Sequence, residues 1–282
     1  LTPQRTRRID LRKTLFLLPN MITLSSIFCG FDSIRLSARG QGDDFYRASI
    51  LLVFALIFDM LDGRVARLTK TQSAFGLQID SLADVVSFGC APAILVYRFS
   101  LEQAGVVGLV CSFLFVGAGA VRLARFNVLT MGEGGAPTKP GKYVVGLVIP
   151  GAAGILVSLV IANHAIGGDL GSPKYVWPLC GLTAFLSFLM VSTVKFRSFK
   201  DIKLNAASVA AVLFIVGSSA VISLQTKPAF VLVWLLGCYV LLGIVESIVN
   251  IPKNRRERAE QLRAEAEAEA RAAADRTSTP PT

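Results

Sequence analysis

Histidine is almost missing from this chain of 282 residues: His164 is the single one, in a Gly-rich stretch read as a loop, so neither a histidine metal site nor a histidine base is expected. Charge is scarce as well, at 17% of residues against 53% apolar, which excludes a disordered chain and an ordinary water-soluble enzyme. The five cysteines, Cys29, Cys90, Cys111, Cys180 and Cys238, each fall inside an apolar stretch, and no two stand at a metal-ligand spacing. A disulfide-stapled secreted domain is therefore excluded. The apolar runs lack period-two alternation, which argues against a β-barrel. No nucleic-acid motif accompanies the net charge of +10.

What the chain has in quantity is long apolar sequence, with a mean hydropathy of +0.58. Eight segments approach or reach the length needed to cross a bilayer, at about 16–38, 46–62, 81–98, 104–121, 144–162, 175–194, 206–225 and 228–249. The expected fold class is an all-α polytopic membrane protein of about eight transmembrane helices. Residues 1–15 read as a basic juxtamembrane segment on the cytoplasmic side rather than a cleavable signal, and 16–250 as the transmembrane catalytic domain. Residues 251–282 read as a charged cytoplasmic tail, helical and then disordered. With both ends inside, only Arg35, Arg39, Arg47, Arg98, Lys174 and Lys227 of the 29 basic residues lie outside, so the positive-inside rule favours cytoplasmic termini. The basic excess then belongs at lipid headgroups, with no nucleic acid as partner.

The informative stretch joins the second and third spans. Asp59 and Asp62 are three apart, Asp80 and Asp84 four apart, and each spacing puts a pair on one helix face. A short turn near Lys70–Ser73 makes the two helices antiparallel neighbours and brings all four carboxylates together near the cytoplasmic surface. Four uncompensated acids at that depth would repel one another. Divalent cations resolve this, and oxygen-only ligands suit Mg²⁺ or Mn²⁺. Two such ions about 3.5–4 Å apart suit phosphoryl transfer. Gly63 and Gly76 let a ligand approach the backbone, Ala66 keeps the wall small, and Arg67 offers a planar fork to a phosphate. A cation pathway would also gather acids, but Arg67 among them disfavours passage.

The pattern Asp59-x2-Asp62-Gly63-x2-Ala66-Arg67-x8-Gly76-x3-Asp80-x3-Asp84 resembles, at every position, the signature of the CDP-alcohol phosphotransferase family. That resemblance implies a six-helix membrane core, usually a homodimer, that transfers a substituted phosphate from a CDP-linked donor to an alcohol and releases CMP. It implies Asp59, Asp62 and Asp80 as metal ligands, and Asp84 as the catalytic base and a further ligand. Leu18–Phe31, Arg122–Asn127, Gly146–Gly154 and Leu189–Lys200 resemble the membrane-embedded bacterial branch that makes phosphatidylserine, with Val148 where a proline is usual. By that likeness Asn20 and Thr23 join Gly63, Ala66, Arg67 and Gly76 at a CDP-diacylglycerol site in the inner membrane, with L-serine as acceptor. A zwitterionic acceptor needs a cation for its carboxylate and a hydrogen-bond acceptor for its ammonium, and Arg122, Arg125, Asn127 and Lys142 are the candidates. Glycerol 3-phosphate as acceptor and divalent-cation transport are the alternatives. Asp32 and Arg35 read as a neutralising pair, and the glycines at 105–108 and 116–120 as close-packing faces.

Overall fold

The computed structural model describes residues 11–41, 43–130, 143–168, 170–192 and 194–197, then short helical pieces at 218–219, 230–231, 233–238 and 240–241. Lys142, the segment 1–10, most of the last two expected spans and the tail 251–282 lie outside the described residues.

Helices dominate: α1 Leu11–Arg39, α2 Asp44–Leu68, α3 Ala74–Asp84, α4 Ala91–Phe99, α5 Val106–Thr130, α6 Ile149–Ile166 and α7 Val176–Val191. Between α3 and α4 the helix continues through a π-helical turn, Val85–Cys90, so Ala74–Phe99 forms one span. Five helices are long and apolar enough to cross a membrane, Leu17–Arg39, Ala74–Phe99, Val106–Val128, Ile149–Ile166 and Pro173–Val191. The chain is thus an integral membrane protein by the length and composition of its helices. At 25 residues α2 has the length too, but Asp59, Asp62, Arg64 and Arg67 at one end dilute its apolar character.

Small side chains let α1 and α2 lie close together. Ser26, Gly30, Ser33 and Ser37 form a buried stripe on α1, and Ala48, Ser49 and Ala55 are buried on α2. In lipid, apolar burial gives helices little reason to associate, and close backbone packing supplies it instead. Two of these hydroxyls bond within their own helix, Ser37 to the Ser33 carbonyl and Ser49 to the Phe45 carbonyl, both at 2.8 Å, while the buried Ser33 Oγ has no hydrogen-bond partner among the described residues. A larger core lies among α4, α5, α6 and α7, where Phe115, Leu147, Ile149, Leu156, Leu186 and Met190 are fully buried.

Several expected boundaries move. The third span starts at Ala74, capped by Ser73, whose side chain accepts the Gly76 N–H at 2.9 Å. The fourth runs on to Thr130, because RLARFN consists largely of residues a helix accommodates, so Arg122, Arg125 and Asn127 stand on α5 rather than in a loop. The fifth begins only at Ile149. Ahead of it Tyr143–Val145 (β1) pairs antiparallel with Lys195–Arg197 (β2), Val144 opposite Phe196, a short ribbon beside an otherwise all-helical fold. Its aromatic and β-branched residues suit extended backbone. His164 lies in the last turn of α6 rather than in a loop, stacked on Tyr46 with ring centroids 4.2 Å apart. Arg35 Nε does meet Asp32 Oδ1, at 2.6 Å. Gly108 packs tightly, but against its own preceding turn: an added Cβ would stand 1.9 Å from the Leu101 carbonyl oxygen.

Candidate active site

The chain turns sharply between α2 and α3. Thr69 ends α2, Lys70 takes a positive φ of 54°, and Ser73 starts α3. Five residues therefore separate the two helices, which both pack against α1 and bring their acids together. Both helix ends pack beside the start of α1, where Thr23 meets Asp62 and the Asn20 amide oxygen comes within 3.8 Å of where a Cβ on Gly76 would stand.

Asp59, Asp62 and Asp80 converge here. Each offers one carboxylate oxygen, and all three oxygens lie within 4.8 Å of one another. None of them takes part in an ion pair among the described residues. Asp62 is buried, its Oδ2 accepting a 2.7 Å hydrogen bond from the Thr23 hydroxyl. Asp84 stands one turn deeper than Asp80, within hydrogen-bond reach of Asp59. Its Oδ1 is buried with no hydrogen-bond partner among the described residues. A set of three close carboxylates, without nitrogen or sulfur donors and with a bare buried oxygen beside it, fits a hard divalent cation.

Next to the acids opens a cavity of about 340 Å³. All six residues expected to bind the donor, Asn20, Thr23, Gly63, Ala66, Arg67 and Gly76, line it together with Asp62 and Asp80. An added Cβ on Gly63 would meet nothing within 4 Å, so this glycine leaves open space in the cavity wall. The lining also includes Thr71, Gln72 and Ser73, which sequence reasoning passed over as mere turn residues. The signal was available: Ser73 stands three residues ahead of Gly76, as an N-cap hydroxyl should.

A sequence profile for CDP-alcohol phosphatidyltransferase matches residues 16–186, a stretch that holds every one of these residues. The chain belongs to that family. Its relatives include a Helicobacter pylori protein, strain J99, named CDP-diacylglycerol–serine O-phosphatidyltransferase, 38% identical over 85% of this chain and 94% of the relative. A Mycobacterium leprae protein of the same name is 32% identical over 83% of this chain and 74% of its own length. An archaetidylserine synthase of Methanothermobacter thermautotrophicus is 39% identical over 55% of this chain and 62% of that protein.

The acceptor candidates divide within this family member. Arg122 is 5% exposed on α5 and within electrostatic reach of Asp84. Arg125 instead reaches the end of α7, where Nη1 donates to the Val191 carbonyl at 3.1 Å and Nη2 to the Ser192 carbonyl at 3.4 Å. A cation there complements the helix C-terminus. Asn127 Nδ2 donates to Ser81 Oγ at 3.0 Å, between the two acids of α3.

Proposed function

We propose that this chain transfers the phosphatidyl group of CDP-diacylglycerol to the hydroxyl of L-serine, giving phosphatidylserine and CMP. The observation that carries the reading is the single cavity wall shared by two carboxylates of the acid cluster and the six donor-site residues. The serine acceptor rests on the relatives' names: a bacterial CDP-diacylglycerol–serine O-phosphatidyltransferase and an archaeal archaetidylserine synthase share serine in those names.

Asp59, Asp62, Asp80 and Asp84 hold two divalent cations, Mg²⁺ or Mn²⁺, which when bound neutralise diphosphate oxygens and acidify the attacking hydroxyl. The chain's own groups do the remainder. Asn20, Thr23, Gly63, Ala66 and Gly76 shape the CMP pocket, and Arg67 meets a phosphate with its fork. The acyl chains stay in lipid. Asp84 Oδ1 takes the serine hydroxyl proton. The serine oxygen bonds to the phosphorus that carries diacylglycerol, and the bond from that phosphorus to the CMP oxygen breaks. Arg122 holds the serine carboxylate, with Lys142 joining from the segment after α5. Asn127 supports α3 through Ser81, and Arg125 fixes α7 behind them.

The site opens at the cytoplasmic face of a bacterial inner membrane, with both termini on that side. Arg64 and Arg67 stand near the C-terminal end of α2, Lys70 in the turn after it, and Arg122 and Arg125 in the C-terminal part of α5, a distribution that supports a cytoplasmic site by the positive-inside rule. The first six spans form the catalytic core of an eight-helix protein that works as a homodimer.

Purified protein with CDP-diacylglycerol, Mn²⁺ and a panel of alcohols tests the reading. CMP release that requires L-serine is expected. Release with glycerol 3-phosphate instead would change the acceptor. No release with any alcohol, together with Mn²⁺ flux in proteoliposomes, would replace the enzyme by a transporter.

A further inference from the structure

The third span is interrupted directly after Asp84 by the π-helical turn Val85–Cys90. Its wider bonding shows at Ala91, whose N–H reaches the Val86 carbonyl five residues back. Such a turn holds one residue more than an α-turn, so it rotates α3 against α4 by about 100°. On its far side α4 has no freedom to turn, because Ala91, Pro92, Ala93, Leu95 and Val96 are all buried. The rotation at which α3 presents Asp80 and Asp84 is therefore set by the extra residue.

The turn itself is pinned. Ser87, fully buried in its middle, donates to the Ser26 carbonyl of α1 at 3.0 Å. The Ser26 hydroxyl donates in turn to the Ala55 carbonyl of α2 at 3.1 Å. Ala55 is one helical turn before Asp59, and Ser26 three residues after Thr23, so this link of three elements lies just beneath the acid cluster. Gly30 makes the approach feasible: a Cβ there would stand 2.9 Å from Ser87 Cα, inside contact distance with backbone.

We propose that this π turn, pinned by Ser87 on Ser26, is the positioning device of the site, fixing the rotation that aims Asp80 and Asp84 at Asp59 and Asp62. Ser87 is a positioning residue and touches no reacting atom. The inference rests on the proposed roles of Asp80 and Asp84.

Three variants of the full chain test it, each assayed for kcat, KM for CDP-diacylglycerol, Mn²⁺ affinity and thermal stability. Deleting Val86 closes the turn to an α-helix while Ser87 and the rest of the span stay in place. Turnover should fall by about 100-fold or more and Mn²⁺ binding should be lost, with the protein still folded. Ser87→Ala should lower kcat by about tenfold while KM stays within about twofold. Wild-type kcat in Ser87→Ala overturns the inference, and so does a loss that tracks the folded fraction alone. Should the deletion variant not fold, Ser87→Ala decides. Asp84→Asn separates this from the functional reading: an inactive Asp84→Asn beside a fully active Ser87→Ala rejects only the positioning role. An active Asp84→Asn rejects Asp84 as base, and Mn²⁺ binding in the deletion variant still reads the aim of Asp80.

Discussion

Thr23 on α1 donates a 2.7 Å hydrogen bond to Oδ2 of Asp62 on α2. The same hydroxyl lies 3.1 Å from the Pro19 carbonyl one turn earlier. One carboxylate oxygen of Asp62 is thus held by a neighbouring helix, and the group is oriented toward Asp59 and Asp80. Partners that orient a ligand in this way matter to affinity nearly as much as the ligand. Thr23→Val should weaken Mn²⁺ binding by about 10–100-fold, and Thr23→Ser should restore it. Unchanged Mn²⁺ affinity in Thr23→Val would leave Thr23 a cavity wall and nothing more.

Three carboxylate oxygens within 4.8 Å make the metal-free protein carry repulsion at its own site. In EDTA, Asp80→Asn should therefore melt above wild type. Added Mn²⁺ should raise the wild-type melting point and leave that of Asp80→Asn nearly unmoved. At a hundred times the dissociation constant the stabilisation is about 2.7 kcal/mol. Equal shifts in the two proteins would place the cation elsewhere.

Arg125 and Gly146 hold the junction of α5, α6 and α7. Gly146 has φ of 81°, and a Cβ there would stand 2.3 Å from the Met190 carbonyl oxygen and 3.2 Å from Arg125 Nη2. Gly146→Ala should cost more than about 2 kcal/mol, from left-handed strain and the clash together. Arg125→Ala should cost about 1–3 kcal/mol through the abandoned carbonyls. Thermal melts measure both. A selective rise in the serine KM for Arg125→Ala, at unchanged stability, would return that residue to the acceptor site.

Val148 precedes α6 with φ of −67° and ψ of 136°, angles a proline ring adopts unaided. The departure from the usual proline thus leaves the backbone shape intact. Val148→Pro should leave activity alone and add about 0.4–1 kcal/mol of stability by restricting the unfolded chain. A lower melting point would mean that the Val148 side chain or N–H contributes more than the backbone shape.

Much of the site was legible because its chemistry is local. Asp59 with Asp62, and Asp80 with Asp84, are pairs set by helical period, and one turn of five residues joins them. Long-range pairs carry no such period. Thr23 on Asp62, Asn127 on Ser81 and Ser87 on Ser26 join residues 39, 46 and 61 positions apart. Arg125 illustrates the limit: a basic residue at a span's end reads as a ligand cation, and only the fold brings the α7 carbonyls to it. The π turn was invisible for a different reason, since VVSFGC suits an α-helix as well and the extra residue shows only in the backbone bonds. Apolar length located α1 and α4–α7 but not their ends, because RLARFN continues a helix while the residues around 143–145 pair as a strand.

The most direct test of the central claim is anomalous diffraction from crystals grown with Mn²⁺ and a CDP-linked lipid. Manganese peaks bounded by Asp59, Asp62, Asp80 and Asp84, with the diphosphate beside them in the cavity lined by Asn20 and Arg67, are the predicted result. Manganese at the opposite ends of these helices, or a nucleotide bound away from the four aspartates, would contradict it.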